Sequence, residues 1–441
     1  EQRKHTDAIA FGGWSIDLHP SDGIYSNAPG CNQWHSKGVY QIPYRCIYSK
    51  NIKNLFLAGR IISSSHVAFA SSRVMATGAY VSQAVAIAAT LCKKYHCLPA
   101  DIINDNKTAL LQQHLIHTGQ FIPGIHPEDS GNKTTGATIT ASSALQLQEL
   151  TADGEFLTLD PAVGQMLPFR SGKIPDISLS VYCETDTVLH LELRICSRTG
   201  SYTPDITLAS FQYPLQPGEN RVGVCPDAVL DEEQYVFLIL HKNPAVKIAR
   251  SSLRITGILS VFNTVNPAVS NYGRQDPPEN IGIDPFEFWC PQRRPAGHNL
   301  ALTLSEPVNG FSAMNIKNGI TRPTTRPNAW VADLKDPQPF ICLEWDEPVT
   351  VRKIIIAFDT DFDHPMESVL MTHPETVMPF CVRDYIIYND RDEKIYEKKE
   401  NYQTRNTICF EEGLRTTRLK IAPQHPSLTT PAAIFEVRCF E

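Results

Sequence analysis

The sequence predicts an α/β segment followed by two antiparallel, jelly-roll-like β-sandwiches, and three observations predict it. The run Leu55-Phe56-Leu57-Ala58-Gly59 is apolar and ends in glycine, the pattern of a central strand entering a tight turn, and a helix rich in small residues follows from Arg73 to Leu91. After Asp129-Ser130-Gly131-Asn132 the hydrophobic pattern changes from helical spacing to period two. The 32 prolines among 441 residues mark many turns and short strands.

The first element is the aromatic, Gly- and Pro-rich stretch from Gly12 to Ser49, a long loop region of the kind that lines a site. The helix over Arg73–Leu91 carries Ala76, Gly78, Ala79, Ala84, Ala86, Ala88 and Ala89, which permit close packing on a sheet. A second helix is expected over Ala109–Ile116, ending near Gly119, with Pro123-Gly124 breaking the chain beyond it. Strand patterns then run through Thr187–Arg194, Tyr235–His241 and Ser252–Val261, and again through Phe340–Trp345, Lys353–Phe358, Val382–Tyr388 and Arg418–Ile421. These place domains at 1–133, 134–265 and 281–441, with a linker at 266–280, and the last is expected to fold by itself.

Composition narrows the function. With 40 basic and 47 acidic residues the net charge is -7, so no basic field exists to neutralise nucleic-acid phosphates, and small-molecule partners fit better. The apolar stretch Ala76–Cys92 is broken by Thr77, Gly78, Ser82, Gln83 and Thr90 and reads as a buried helix rather than a membrane span. The opening Glu1-Gln2-Arg3-Lys4-His5 shows no secretory signal. Twelve scattered cysteines give no metal-ligand spacing, and no metal site is expected. The even count leaves disulfides and compartment open.

Tyr40-Gln41-Ile42-Pro43-Tyr44-Arg45-Cys46-Ile47-Tyr48-Ser49, Asn54-Leu55-Phe56-Leu57-Ala58-Gly59-Arg60, Ser65-His66-Val67-Ala68-Phe69 and Ser72-Arg73-Val74-Met75-Ala76-Thr77-Gly78 together resemble the bacterial FAD-dependent oxidoreductase family. The resemblance covers about Asp7 to Gly124. It implies the C-terminal part of an FAD/NAD(P)-binding-like domain, with noncovalent FAD as cofactor. Gly59 would let the cofactor approach the backbone, and Arg60 would face its phosphates or ribityl chain. The helix beginning near Ser72 or Arg73 would present the Val74 and Met75 amides to the flavin's pyrimidine edge, with Ser65 and Gly78 in the same shell. The family's GxGxxG turn does not occur in this sequence, so a further polypeptide carrying that N-terminal half is the expected partner. The source implied is bacterial, in a periplasmic, extracellular or cytoplasmic compartment.

Flavin chemistry needs a proton acceptor beside the ring, and His66 and His35 are the candidate bases. Tyr44 and Arg45 would place a phenol and a guanidinium near the flavin, with Tyr44 as core packing the alternative reading. Cys46 is either a covalent flavin attachment or, more commonly, a buried thiol. His19 reads as a turn residue. In the last domain Ile316–Pro323, Trp330, Phe340–Trp345 and Lys353–Phe358 are similar to galactose-binding-like jelly rolls. That similarity implies a glycan partner, stacked on Trp330 or Trp289 unless these are core residues. Asp359, Asp361 and Asp363 form an acidic loop, read as a solvated turn or a calcium site. The function expected is oxidation of a small substrate, a carbohydrate or polyol, by hydride transfer to FAD. The rival is a glycan-binding or scaffold protein with a vestigial flavin segment.

Overall fold

The structure is a computed structural model that describes residues 3–30, 32–34, 38–197, 203–263, 274–277, 279, 282–283, 285–287, 289–291, 298–360 and 378–441. The chain divides into two compact units, Glu1–Glu128 with Val265–Glu287, and Asp129–Thr264 with Phe288–Glu441.

The first unit is built around one long helix, Met75–Tyr95. Its Val81, Ala84, Ala88 and Leu91 are buried, and because two of these are alanines the helix lies close to the strand Ala8–Gly12. That strand pairs antiparallel with Tyr40–Pro43, and the two make a sheet by themselves. A buried strand in so small a sheet leaves carbonyls that water cannot reach, and side chains take them up. Gln112 Nε2, on the helix Thr108–His117, donates to the Thr6 and Ala8 carbonyls at 2.9 Å each, and Gln120 Nε2 donates to Ile9 O at 2.5 Å. The expected helices therefore form, within a few residues of their expected ends.

The strand expected at Leu55–Gly59 does not form. Residue 56 makes only an isolated antiparallel bridge to Tyr48, through Ser49 N to Leu55 O (2.9 Å) and Leu57 N to Ile47 O (2.7 Å), and Gly59–Ile61 is a turn of 3₁₀ helix. An apolar run is a strand only where flanking strands complete its ladder, and here a single bridge serves. The helix Met75–Tyr95 is also more apolar than its polar interruptions suggested: by length and composition it could cross a membrane, with a third of its window buried in the fold.

The second unit is all-β and antiparallel. One sheet runs Asn299–Leu300, Asn243–Ser251, Ile177–Cys183, Leu302–Val308, Leu147–Leu150, and the facing sheet runs Ile206–Leu215, Thr187–Ile195, Gln234–Leu240, Val163–Phe169, Leu259–Phe262, Cys290–Pro291. Alternate residues of both, such as Leu179, Val181, Leu191, Leu193, Leu238 and Leu240, fill the core between them. The strand expected at Ser252–Val261 is mostly a connection: one strand ends at Ser251, and the next begins only at Leu259. A further sheet contains two long strands, Ile341–Phe358 and Arg405–Pro423, whose register shifts at Glu344/Val349 and Val351/Lys353 bend them around a core of Trp330, Leu343, Ile356, Tyr385 and Leu419.

Strand pairing crosses the expected boundaries. Thr138–Ala141 joins the last sheet beside Ile341–Phe358, while Asn299–Leu300 and Leu302–Val308 belong to the middle sandwich. Ala357, Ala433 and Phe435, on strands of the last sheet, pack into the middle sandwich's core, and Thr256 Oγ1 donates to Asp359 Oδ2 at 2.6 Å. Sequence cannot show this, because a strand's own alternation does not name its partner. Most of 266–280 lies outside the described residues.

Two predictions follow from this packing. Residues 281–441 alone lack Thr138–Ala141 and expose Ala357 and Phe435, so that fragment should be recovered aggregated, whereas 129–441 should unfold in one cooperative transition by circular dichroism; a soluble, cooperatively folded 281–441 contradicts this. Glu436 is buried near Arg438, Asp129 and Arg405, and burial pushes its carboxyl up to about 7 from an ordinary 4.5. Because the folded chain holds this proton longer than the unfolded chain does, its contribution to stability is full below pH 4.5 and is lost as pH rises through about 7. Glu436→Gln should then be more stable than wild type above pH 7 by on the order of 2 kcal/mol, with the gap closing in acid, as read from urea melts across pH.

Candidate functional site

Of the expected cofactor residues, Val74, Met75 and Gly78 lie at the N-terminal end of the helix Met75–Tyr95. Val74 is its extended N-cap residue and supplies no side-chain cap, and Met75 is 92% exposed. The first turn of a helix carries N–H groups with no intrahelical acceptor and the positive end of the dipole, so this end suits a negatively polarised ligand edge. Beside it lies Gly59, at φ +60°, a conformation that costs side-chain-bearing residues energy. A Cβ on Gly59 would meet nothing within 4 Å, so the space it faces is open. A Cβ on Gly78 would sit 3.5 Å from the Gly59 Cα, so the two glycines set the close approach of turn and helix. Arg60, on that turn, is exposed.

A second layer holds this end in place. Arg73 closes the short helix His66–Ser72, and its guanidinium donates to the Asp17 carbonyl at 2.7 Å, lies 3.6 Å from Asp17 Oδ2 and stacks over Phe69. His19 Nε2 is 3.4 Å from the same carboxylate oxygen. Asp17 Oδ1 is buried and has no hydrogen-bond partner among the described residues. Ser71 Oγ donates to Trp14 O at 2.6 Å and lies 2.7 Å from the Tyr40 hydroxyl. Asp17, Ser71 and Tyr40 escaped sequence reasoning, since a polar side chain with a partner far along the chain leaves no local pattern.

Several expected site residues spend their polar groups internally. Ser65 caps the short helix by accepting from Ala68 N at 3.2 Å, and buried Ser72 donates to Ala68 O at 3.0 Å, so each hydroxyl has a partner within the fold. Arg73 is engaged by Asp17. Tyr44 is fully buried, its hydroxyl donates to Pro99 O at 2.8 Å and burial pushes its phenol up, which removes it from proton exchange near neutrality. Arg45 forms a two-pronged pair with Asp7, Nη2 to Oδ1 at 2.5 Å and Nε to Oδ2 at 3.0 Å, and the pair holds the Asp7 carboxyl below its ordinary range against the larger opposing effect of burial. Cys46 is a partly buried thiol that burial pushes up. His66 is exposed at the first position of its helix. His35 lies outside the described residues.

This arrangement occupies the segment for which a family is recognised. Residues 1–115 match the FAD dependent oxidoreductase family. All the unit-one candidates above fall within that FAD-oxidoreductase match. No curated protein matches the chain. Solved structures similar to it include the family 32 carbohydrate-binding module from Streptococcus pneumoniae EndoD (13% identity, 30% of this chain and 88% of that one, TM-score 0.24). They also include chitosan-binding module 1 from the chitosanase/glucanase of Paenibacillus sp. IK-5 (12%, 30% and 88%, 0.22) and CpGH89CBM32-6 produced by Clostridium perfringens (13%, 30% and 87%, 0.22).

In the last sheet, Trp330 is fully buried and donates to Ser143 O at 2.8 Å, so it is a core residue and cannot stack on a sugar. Trp289 is likewise packed, beside Phe237 and Val261. Asp359 is buried rather than part of a solvated turn, and Asp361 and Asp363 lie outside the described residues.

The glycine contact yields a graded prediction. Gly78→Ala should be tolerated or slightly stabilising, because 3.5 Å is an ordinary contact and alanine favours helix. Gly78→Val should cost about 1–3 kcal/mol by forcing the Gly59 turn away. Equal melting temperatures for the two variants would remove the contact from the account.

Proposed function

We propose that this chain works as part of an FAD-dependent oxidoreductase that oxidises a small substrate, a carbohydrate or polyol, with the flavin held noncovalently at the N-terminal end of the helix Met75–Tyr95. The observation that carries the reading is the uncapped, exposed helix end backed by the Gly59–Gly78 contact, within the segment matching the FAD family. The residues present fit one edge of the cofactor: open space at Gly59, helix-end N–H groups at Val74 and Met75, and Arg60 as an exposed cation. When bound, the flavin supplies hydride acceptance. The chain's own residues bind and orient. The first-turn amides stabilise negative charge at their ligand's edge, Arg60 neutralises phosphate, and the Asp17–Arg73 pair ties the end of the short helix to the strand Ile16–Leu18. His66 takes the substrate proton at a ring nitrogen, with His35 the other candidate base. Exposed Ile61, Val67 and Met75 around this end support a second polypeptide segment, carrying the phosphate-binding glycines, as the partner that completes the site.

One observation favours the rival reading of a glycan-binding or scaffold protein with a vestigial flavin segment: Ser65, Ser72, Tyr44 and Arg45 serve the fold itself, as they would in a structural remnant. Reconstitution separates the two. The chain alone is expected to be inactive; combined with the polypeptide that carries the phosphate-binding glycines, mixed with FAD and desalted, it should retain the flavin's visible absorbance. Gly59→Val should lose it, because valine both strains the turn and fills the open space. His66→Asn should keep the colour but slow substrate reduction of the flavin about a hundredfold. A folded chain that retains no flavin even with that partner supports the remnant reading, and unchanged reduction by His66→Asn in the complex removes His66 as the base.

A further inference from the structure

The opposite end of the long helix carries a different chemistry. The helix terminates with His96 in the left-handed conformation (φ 50°, ψ 45°), and Cys97 N donates back to Cys92 O at 3.0 Å. This is the six-to-one hydrogen bond of a Schellman cap, a motif that also brings the side chains of these two positions into contact. In most proteins that contact is between hydrophobic residues; here both positions are cysteine. Both thiols are free and partly exposed, and they pack against the core beside the buried Tyr44 ring. The Cys92 thiol is in hydrogen-bond contact with Cys97, and burial, together with that neighbour, pushes it up to about 11.

We propose that Cys92 and Cys97 form a reversible dithiol–disulfide pair that closes over the C-terminal cap of the helix, with small disulfides of the glutathione type as oxidant. The exchange balances in two steps. The Cys97 thiolate, having released its proton to solvent, attacks one sulfur of the small disulfide, forming a mixed disulfide and releasing one small thiolate. The Cys92 sulfur then gives up its proton and attacks the protein sulfur of that mixed disulfide. The Cys92–Cys97 bond forms, the second small thiolate leaves, and both small thiolates take up the protons released. Two protein thiols are oxidised and one small disulfide is reduced. The elevated Cys92 thiol makes it the poorer first nucleophile, which is why the first attack is assigned to Cys97. The cap hydrogen bond need not break, since it already sets the two positions side by side.

The sequence provides a direct readout, because Lys93 and Lys94 lie between the two cysteines. The folded 441-residue chain is incubated with glutathione disulfide, remaining thiols are alkylated, and the chain is digested with trypsin without reductant. Peptides 74–93 and 95–107, each holding one cysteine of the pair, should travel as one linked species that dithiothreitol separates. Proximity should make this linkage at least about tenfold more abundant than any other pairing among the twelve cysteines, and about tenfold faster than in urea-unfolded chain. Cys97→Ser should leave Cys92 alkylated or carrying a single glutathione, with no linked species, and circular dichroism confirms that this variant is folded. The proposal is overturned if the two peptides are recovered unlinked from folded wild type, whether as free thiols or as separate glutathione adducts, or if linkage is no faster than in the unfolded chain.

Discussion

The close approach of Gly59 to Gly78 is the constraint on which the candidate site depends. It lets a turn with positive φ lie flat against the first turn of a long helix, so the helix end remains open and the space beside Gly59 stays empty. Any larger residue at 78 than alanine separates the two elements, and any side chain at 59 enters the open space. The rest of the first unit supports this approach: alanines on the long helix admit the Ala8–Gly12 strand, glutamines satisfy that strand's carbonyls, and the Asp17–Arg73 pair fixes the short helix that leads into Val74.

The second unit obeys a separate logic. Its stability is that of antiparallel sheets whose strands come from distant parts of the sequence, so neither the middle nor the last sandwich is a continuous stretch of chain. Phe435 and Ala357 turn inward to the middle core while Ile434 and Ile356, next to them, serve the last one. Strands shared in this way join the two sandwiches through a common set of buried side chains. The two tryptophans that sequence offered as sugar platforms, Trp330 and Trp289, are buried in this packing instead.

Much of this was legible in the sequence because periodicity reports local structure. The helix expected over Ala109–Ile116 forms over Thr108–His117, and the alternation at Thr187–Arg194 is a strand through Ile195. The Leu55–Gly59 run was misread because an apolar run reports burial, and whether it is a strand depends on neighbours that the run itself does not name. Phe340–Trp345 and Lys353–Phe358 read as two strands because bulges interrupt the alternation of what is a single bent one. In the candidate site, Gly59 and Gly78 were named through family resemblance, and the two lie against each other beside the helix start. Asp17, Ser71 and Gln112 were not, since their partners lie 56, 57 and about a hundred positions away.

The central claim is that this helix end receives the flavin. Hydrogen–deuterium exchange of the chain with and without saturating FAD tests it most directly, because it reads backbone N–H groups one segment at a time. The account predicts slowed exchange concentrated in peptides covering Gly59–Ile61 and Val74–Gly78, with the β-sheet unit unchanged. Protection elsewhere with none at those two segments, or no protection despite bound flavin, would contradict it.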